Sequence, residues 1–276
     1  MLHSIPRGRG RGAAVGLGLA LLTACGPSND ADDTGTDAAT IDARPIDATP
    51  IDSPDAPPPP DVNVTITADN AYSFGYGDVA GVTTYIQGSR AQTAGQIFNC
   101  GEGPESYVVP AASAPDTAYL YIVSWDDLAV TQGVLGQFKR GGVPLYTGDD
   151  AWEVCATGIN LQASTVGPTQ AEVNAQIAIC NAGSGNATMT SKGWVNRVGP
   201  VTAGAIGTTA VGEANDPAAG GTFPPTCVNQ PNGIDAAAHW MWFNPGGVAD
   251  PFRSTGTNTF RAYLIFRLPA IEIPIP

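Results

Sequence analysis

The chain carries little charge. Asp, Glu, Lys and Arg make up 13% of its 276 residues, about half of their share in an average soluble domain. The charge is mostly negative, because 25 acidic residues outnumber 12 basic ones and leave a net charge of −13. Proteins that hold a phosphate backbone need a basic surface, so this balance argues against nucleic acid as a partner.

Histidine is also scarce, with His3 near the start of the chain and His239 near its end. The sequence lacks the Gly-x-Ser-x-Gly, His-Glu-x-x-His and Gly-x-x-x-x-Gly-Lys motifs of many hydrolases, zinc peptidases and nucleotide-binding proteins. It has no Cys-x-x-Cys pair, so a Cys/His zinc site is not expected. A Ser–His–Asp or Cys–His catalytic site would depend on His239. We predict no catalytic residues and interpret His239 as a packed or hydrogen-bonded side chain.

The first residues form a secretion signal rather than part of the fold. Three arginines (Arg7, Arg9 and Arg11) precede an apolar run of ten residues from Ala13 to Leu22. This length matches the core of a signal peptide and is too short to span a bilayer. The run ends in Leu22-Thr23-Ala24-Cys25, which resembles the lipobox of bacterial lipoproteins. The resemblance implies that residues 1–24 are a lipoprotein signal peptide and that Cys25 is acylated.

Acylation of Cys25 would make the membrane a partner of the chain, since each buried methylene contributes about 0.8 kcal/mol to membrane binding. Gly26 follows the cysteine. In lipoproteins of Gram-negative bacteria an Asp at that position favours retention in the inner membrane, so the resemblance implies a lipid-anchored protein of the outer membrane. The periplasmic face and the cell surface remain alternatives.

Residues 26–61 have the composition of a disordered linker. They contain nine Asp, one Arg and eight Pro, including four consecutive prolines from Pro57 to Pro60. Such a segment has too few apolar residues to offset the entropy lost on folding. Proline stiffens it and like charges extend it, to a reach of about 110 Å at about 3.1 Å per residue. We predict a disordered acidic tether over residues 25–61.

The rest of the chain has the pattern of an all-β domain. Apolar and polar residues alternate over 62–67, which predicts a half-buried strand, and residues 118–125 are mostly apolar on both faces, which predicts a central strand. Further strand candidates lie at 82–86, 152–157, 189–195, 201–211 and 260–268. Residues 128–138 fit either a strand or a short helix. We expect a single β-sandwich or jelly roll over 62–276, since no second linker interrupts it.

One short helix is predicted near residues 170–181. Thr169 and Glu172 have the spacing of a capping box, and Gly183 can end the helix. Three residues then share one helical face: Val173, Ile177 and Cys180. This stripe predicts that the helix packs on a sheet.

Two C-terminal segments carry a second resemblance. His239-Trp240-Met241-Trp242 is followed, after a gap, by Phe260-Arg261-Ala262-Tyr263-Leu264. Both segments resemble the ends of galactose-binding-like jelly-roll modules of exported bacterial proteins. The resemblance implies a jelly-roll fold and no particular sugar.

The remaining cysteines indicate disulfides. An even number in an exported chain favours two bonds among Cys100, Cys155, Cys180 and Cys227. Three connectivities are possible. We favour Cys155–Cys180, because this bond would join the predicted helix to the preceding strand, and it leaves Cys100–Cys227 as the second bond.

Acidic residues cluster in three predicted loops: Glu102 with Glu105, Asp126 with Asp127, and Asp149 with Asp150. We interpret them first as solvated turn residues. Carboxylates from neighbouring loops can also bind calcium together with backbone carbonyls, which makes calcium a candidate cofactor at Asp126, Asp127, Asp149 and Asp150. Two carboxylates about 5 to 9 Å apart would instead suit glycoside hydrolysis.

Trp240 and Trp242 are the aromatic candidates for a ligand site. Two residues apart on a strand, they share one face. Exposed, they would form with His239 a flat platform for a sugar ring or a partner protein. Buried, they would fill the sandwich, which is the interpretation we favour.

The predicted anchor and tether and the missing motifs favour a non-catalytic, lipid-anchored protein of the cell envelope. Its β-sandwich would serve binding or adhesion, with carbohydrate or an envelope protein as partner. Two alternatives remain. One is an envelope hydrolase that cleaves glycans with Asp or Glu carboxylates, and the other is a purely structural envelope component.

Overall fold

The computed structural model describes residues 58–127, 129–183, 193–253 and 262–276, all within one compact unit. The predicted signal peptide, the predicted lipidation site Cys25 and nearly all of the predicted tether lie outside the described residues. Within the described ranges, no helix is long and apolar enough to cross a membrane.

Strands dominate the described residues. In chain order they are β1 (Val62–Asp69), β2 (Ala71–Asp78), β3 (Gly81–Ile86), β4 (Glu105–Val109), β5 (Tyr119–Trp125), β6 (Gly133–Lys139), β7 (Leu145–Tyr146), β8 (Glu153–Asn160), β9 (Val195–Asn196), β10 (Gly199–Pro200), β11 (Thr208–Ala214), β12 (His239–Asn244) and β13 (Ala262–Pro269). The helices are α1 (Gly95–Phe98) and α2 (Gln170–Ala182), with short 3-10 turns at Ala111–Ser113 and Ala270–Glu272.

These strands form two antiparallel sheets. The first sheet has the order β11-β12-β6-β1-β4, with β7 also paired to β6, and the second has the order β10-β9-β8-β13-β5-β2-β3. The two sheets pack as a sandwich, which confirms the predicted all-β sandwich. Strand β5 lies inside the second sheet, between β13 and β2, as its apolar sequence predicts.

The main core lies between the two sheets. It includes Val62, Val64 and Ile66 of β1 together with Leu120 and Ile122 of β5, all at most 1% exposed. Side chains alternate across a strand, so the intervening residues of β5 face the outer side of the second sheet and need a separate cover.

Helix α2 provides that cover. Thr169 and Glu172 form the predicted capping box, and Gly183 ends the helix in the left-handed region with a φ of 67°. The buried stripe of the helix joins a second apolar cluster that holds Val173, Ile177, Cys180, Tyr121, Val123 and Ile265. The helix therefore packs on the sheet through the face that the sequence indicates.

Strand β1 is more buried than its alternating sequence predicts. Asn63 is exposed, but Thr65 and Thr67 are only 7% and 2% exposed. The segment that contains α1 covers this face, and Thr67 Oγ1 donates a hydrogen bond of 2.7 Å to the Ile97 carbonyl. The alternating pattern within β1 contains no information about a distant segment that packs over its polar face.

The bounds of several strands also differ from prediction. The segment 128–138 contributes strand β6 from Gly133 onward, which settles the choice between strand and helix there. In the segment 201–211 the strand starts only at Thr208. Residues 189–192 and 260–261 of two further strand candidates lie outside the described residues.

Candidate functional site

The tryptophan pair lies in the core. Trp240 and Trp242 on β12 are 1% and 0% exposed. The Trp240 ring stacks on Phe223 with ring centroids 4.0 Å apart, and the Trp242 ring lies 6.2 Å from that of Phe266 in the opposite sheet. The hypothesis of an exposed ligand platform at these two residues is therefore wrong, because the facing sheet and the Phe223 segment cover them.

His239 is occupied by structural contacts. Its Nδ1 lies 2.8 Å from the Gly212 carbonyl oxygen, and its backbone amide donates a hydrogen bond of 3.1 Å to the Thr147 carbonyl. The side chain is half-buried. These contacts match the packed, hydrogen-bonded interpretation and remove His239 from the candidate ligand site.

The candidate calcium ligands have separate partners. Asp127 Oδ2 lies 3.7 Å from Arg90 Nη1, and Asp150 Oδ1 lies 3.2 Å from Arg197 Nη1. Asp149 accepts a hydrogen bond of 2.9 Å from the backbone amide two residues on. Among the described residues, no three His, Cys, Asp or Glu side chains gather in a group that could hold a metal ion. The geometry therefore does not support a calcium site at Asp126, Asp127, Asp149 and Asp150.

The four described cysteines meet in the favoured pairs. Cys155 is bonded to Cys180, with Cα atoms 6.2 Å apart, and Cys100 is bonded to Cys227, with Cα atoms 5.0 Å apart. The first bond ties α2 to β8, as expected from the predicted helix and strand. Both bonds stabilise the scaffold and contribute no side chain to a ligand site.

A polar cleft of about 740 Å³ opens between the edges of the two sheets. This volume lies in the range of small-molecule sites. The cleft is lined by the end of β1, the start of β2, the start of β4 and the segment that follows β3. Its main polar side chains are Asn70, Tyr72, Arg90, Glu102, Glu105 and Tyr107, and we call it the Glu105 cleft.

The topology brings these side chains together. The chain passes from the first sheet into the second at Asn70, between the last residue of β1 and the first residue of β2. Strand β4 pairs with β1 so that Glu105 lies opposite Ile66, near this crossing. The segment after β3 returns to the same point, where Arg90 forms a bridge with Ala71.

Glu105 accepts hydrogen bonds from two tyrosines. The phenols of Tyr72 and Tyr107 each donate to Glu105 Oε2 at 2.5 Å, and the two phenol oxygens lie 3.0 Å apart. Burial raises the pKa of both phenols above the usual value, so each keeps its proton and acts as a donor at neutral pH. The carboxylate of Glu105 is therefore held in a fixed orientation while it stays exposed in the cleft.

Asn70 and Arg90 carry polar atoms without a partner. Asn70 Oδ1 and Arg90 Nε are buried and have no hydrogen-bond partner among the described residues. The backbone around them is firmly held, since the Arg90 amide donates to the Thr165 carbonyl at 3.1 Å and the Ala91 amide donates to the Asn70 carbonyl at 2.9 Å. Buried polar atoms are normally satisfied, so these two atoms are unusual positions beside the cleft, and a ligand would reach them only if neighbouring side chains moved.

Glutamines extend the polar lining. Gln87 Nε2 donates to the Gly167 carbonyl at 2.7 Å, and Gln92 Nε2 donates to the Arg90 carbonyl at 2.9 Å. Gln96 Oε1 accepts a hydrogen bond of 2.7 Å from the Gln92 amide. These bonds hold the segment after β3 in place, so the wall of the Glu105 cleft is largely formed before a ligand arrives.

A smaller cleft of about 280 Å³ adjoins the first and shares Asn70 and Arg90 with it. We call it the Asp69 cleft, after its most buried carboxyl group. Asp69 is 3% exposed and accepts a hydrogen bond of 2.5 Å from Thr131 Oγ1. Burial, opposed by the Thr131 bond and assisted by the charges of Asp127 and Asp126, raises the pKa of Asp69 to about 6.

The sequence led to only part of this site. The predicted acidic pair of Glu102 and Glu105 lines the Glu105 cleft. Tyr72, Tyr107 and Arg90 were missed, because each becomes a cleft residue only through pairing between distant segments. The alternation of Tyr72, Phe74 and Tyr76 with small residues in β2 was the one available signal, and core packing explains such a pattern equally well.

Comparison with protein-family models, curated proteins and solved structures gives no match for this chain.

Proposed function

We propose that this chain is a lipid-anchored protein of the bacterial outer membrane whose β-sandwich binds a carbohydrate in the Glu105 cleft. The observation that carries the ligand proposal is the exposed carboxylate of Glu105, which two phenols hold in the wall of a polar cleft of about 740 Å³. The site replaces the tryptophan pair as the candidate for ligand binding.

A saccharide fits this mixture of donors and acceptors. A hydroxyl group donates one hydrogen bond and accepts others, so a polyol can pair with both donors and acceptors among the polar side chains that line the cleft, such as Asn70 and Gln92. The carboxylates of Glu102 and Glu105 offer further acceptors at the exposed side of the same cleft. The ring of Tyr107 stacks on Phe74 with centroids 4.9 Å apart, which gives this wall a rigid aromatic component.

A glycan hydrolase is the second candidate function, favoured by one observation. Glu102 and Glu105 line the same cleft, and paired carboxylates are the usual catalytic groups for glycoside cleavage. Glu105 would be the more rigidly placed member of such a pair, because two phenols donate hydrogen bonds to it. Both functions predict glycan binding in this cleft, and only the hydrolase would also cleave the bound glycan.

One experiment separates these functions. The purified full-length protein is screened on an array of bacterial, plant and animal glycans, and the best ligand is titrated by calorimetry and incubated with the protein for product analysis. We expect binding without cleavage, weakened at least about tenfold by Glu105→Gln. Glu272→Gln, at an exposed position in the C-terminal turn, is the matched control. Cleavage abolished by Glu105→Gln would establish the hydrolase, and an array without any bound glycan would refute both.

The anchor is tested separately. The lipobox ending at Cys25 and the acidic tether after it support the proposal of a lipid-anchored protein. The mature protein should begin at Cys25, carry the mass of acyl chains and enter the detergent phase on phase separation. The variant Cys25→Ser should remain unacylated. A wild-type protein without acyl mass that stays in the aqueous phase would contradict the anchor.

A further inference from the structure

Carboxylates outnumber basic groups in the two adjoining clefts. Glu102 and Glu105 line the Glu105 cleft, and Asp69 and Asp127 line the Asp69 cleft. Among the described lining residues of both clefts, Arg90 is the one basic side chain. The combined site therefore has four acidic groups and one basic group.

The charge of Arg90 is already compensated. Its Nη1 lies 3.7 Å from Asp127 Oδ2, and the two side chains are only 24% and 14% exposed. An ion pair that is partly shielded from water interacts more strongly than a surface pair, so Asp127 reduces the attraction that Arg90 would offer to an anionic ligand. The uncompensated groups that face the Glu105 cleft are then the carboxylates of Glu102 and Glu105.

The carboxylates give the site strong hydrogen-bond acceptors beside the side-chain amides that line the same cleft. The carboxylates accept hydrogen bonds only, and Asn70 Oδ1 is a further acceptor without a partner among the described residues. The tyrosine phenols cannot serve a ligand as donors while they donate to Glu105 Oε2. A ligand that brings several hydrogen-bond donors and positive charge matches this surface best.

We infer that the carbohydrate bound in the Glu105 cleft is an amino sugar with free, protonated amines, with Glu102 and Glu105 as the ammonium acceptors. This inference rests on the proposed carbohydrate-binding function and narrows its ligand class. An acidic saccharide would meet like charges in both clefts, and an N-acetylated sugar would lose the ionic contribution.

Three tetrasaccharides of matched length test the inference. They are the β-1,4-linked glucosamine tetramer, its fully N-acetylated counterpart and a tetragalacturonate, each titrated by calorimetry into the full-length protein at about pH 6, where the amines are protonated. We expect the free-amine tetramer to bind at least about tenfold more tightly than the N-acetylated one. High salt should reduce this preference, because it screens charges that face water.

Two variants locate the preference. Glu105→Gln and Glu102→Gln keep the size of the side chain and remove its charge, and each should reduce the preference for the free amine. Glu272→Gln should leave it unchanged. Circular dichroism and the melting temperature check that each variant is folded, and the comparison of ligands on the wild-type protein needs no variant.

The outcomes distinguish the two proposals. Equal or tighter binding of the N-acetylated tetramer would overturn the amino-sugar inference and leave the carbohydrate-binding function intact. Tightest binding of the tetragalacturonate would also overturn the inference and would show that Arg90 dominates the site. A protein that binds none of these ligands and no glycan on the array would refute the proposed function itself.

Discussion

The phenol of Tyr72 donates a hydrogen bond of 2.5 Å to Glu105 Oε2, although the two residues lie 33 positions apart and belong to different sheets. The bond closes the sandwich at the edge where the chain crosses between sheets. It also fixes the carboxylate that defines the candidate ligand site, so one contact links the stability of this edge to ligand affinity.

Removal of the Tyr72 hydroxyl should lower the free energy of ligand binding by more than it lowers the free energy of unfolding. In Tyr72→Phe, Glu105 keeps only the Tyr107 donor and gains rotational freedom, so we expect affinity to fall about threefold to tenfold, the effect of one hydrogen bond. Calorimetry measures this loss. Tyr85→Phe is the matched control, since its phenol donates to the Pro168 carbonyl at 2.8 Å outside the cleft. A larger affinity loss in Tyr85→Phe would contradict the role of Tyr72.

Asp69 should make the protein less stable as the pH rises. Its pKa is about 6 in the folded protein and 3.8 for an ordinary Asp, so between these values the folded state holds more protons than the unfolded state. The contribution of Asp69 to the free energy of unfolding therefore declines from about pH 4 to about pH 6, by on the order of 2 to 3 kcal/mol. Asp69→Asn should abolish this decline and gain stability at pH 7.

Denaturant titrations at several pH values measure the difference between the wild type and Asp69→Asn. The control substitution is Asp149→Asn at an exposed position. The free energy of unfolding of this variant should differ little from that of the wild type at each pH. Parallel stability curves for the wild type and Asp69→Asn over this range would show that Asp69 titrates normally and would contradict the effect of burial.

The Cys155–Cys180 bond should hold α2 on the second sheet. It closes a loop of 25 residues, so the loss of the bond in the double variant Cys155→Ala/Cys180→Ala should lower the free energy of unfolding by about 3 kcal/mol. In the double variant, the rate of amide hydrogen exchange should rise more in α2 than in the strands of the sandwich. A double variant as stable as the wild type, with α2 equally protected, would contradict this role.

Substitution of the buried Arg267 should lower the free energy of unfolding strongly. Its Nε donates to Glu153 Oε2 at 2.6 Å, and its guanidinium lies 3.8 Å from the centroid of the Trp194 ring. Arg267→Met leaves Glu153 as a poorly exposed, unpaired charge, so we expect a loss of about 3 kcal/mol or more. Arg267→Lys keeps the charge but loses the planar stacking, so its loss should be smaller.

The exposed pair of Arg197 and Asp150 is the control for this prediction, with side chains 56% and 73% exposed. Arg197→Met should change stability by less than about 1 kcal/mol, because solvent screens surface ion pairs. Equal losses in Arg267→Met and Arg197→Met, measured by denaturant titration, would rule out a special contribution of the buried pair.

Local chemistry explains why much of the scaffold could be predicted from the sequence. The capping box of Thr169 and Glu172 lies within one helical turn, so the limits of α2 follow from neighbouring residues. The favoured pairing of Cys155 with Cys180 followed from the same helix and the strand before it. Alternating and continuous apolar patterns likewise located β1, β5 and β13.

The ligand site depends on contacts that no local pattern contains. Whether Trp240 faces solvent or core is decided by Phe223, which lies 17 positions earlier and stacks on it. Tyr72 and Glu105 meet only after β1 pairs with β4 and the chain crosses at Asn70. The sequence therefore indicated the acidic pair at 102 and 105 but not the tyrosines and Arg90 that make it a site.

Chemical-shift mapping of the full-length protein with its saccharide ligand tests the central claim most directly. If the ligand binds in the Glu105 cleft, the backbone and side-chain signals of Tyr72, Arg90, Glu105 and Tyr107 shift on titration, while those of Trp240 and Trp242 stay in place. Shifts centred on another face of the sandwich, or no shifts with any saccharide, would contradict the account.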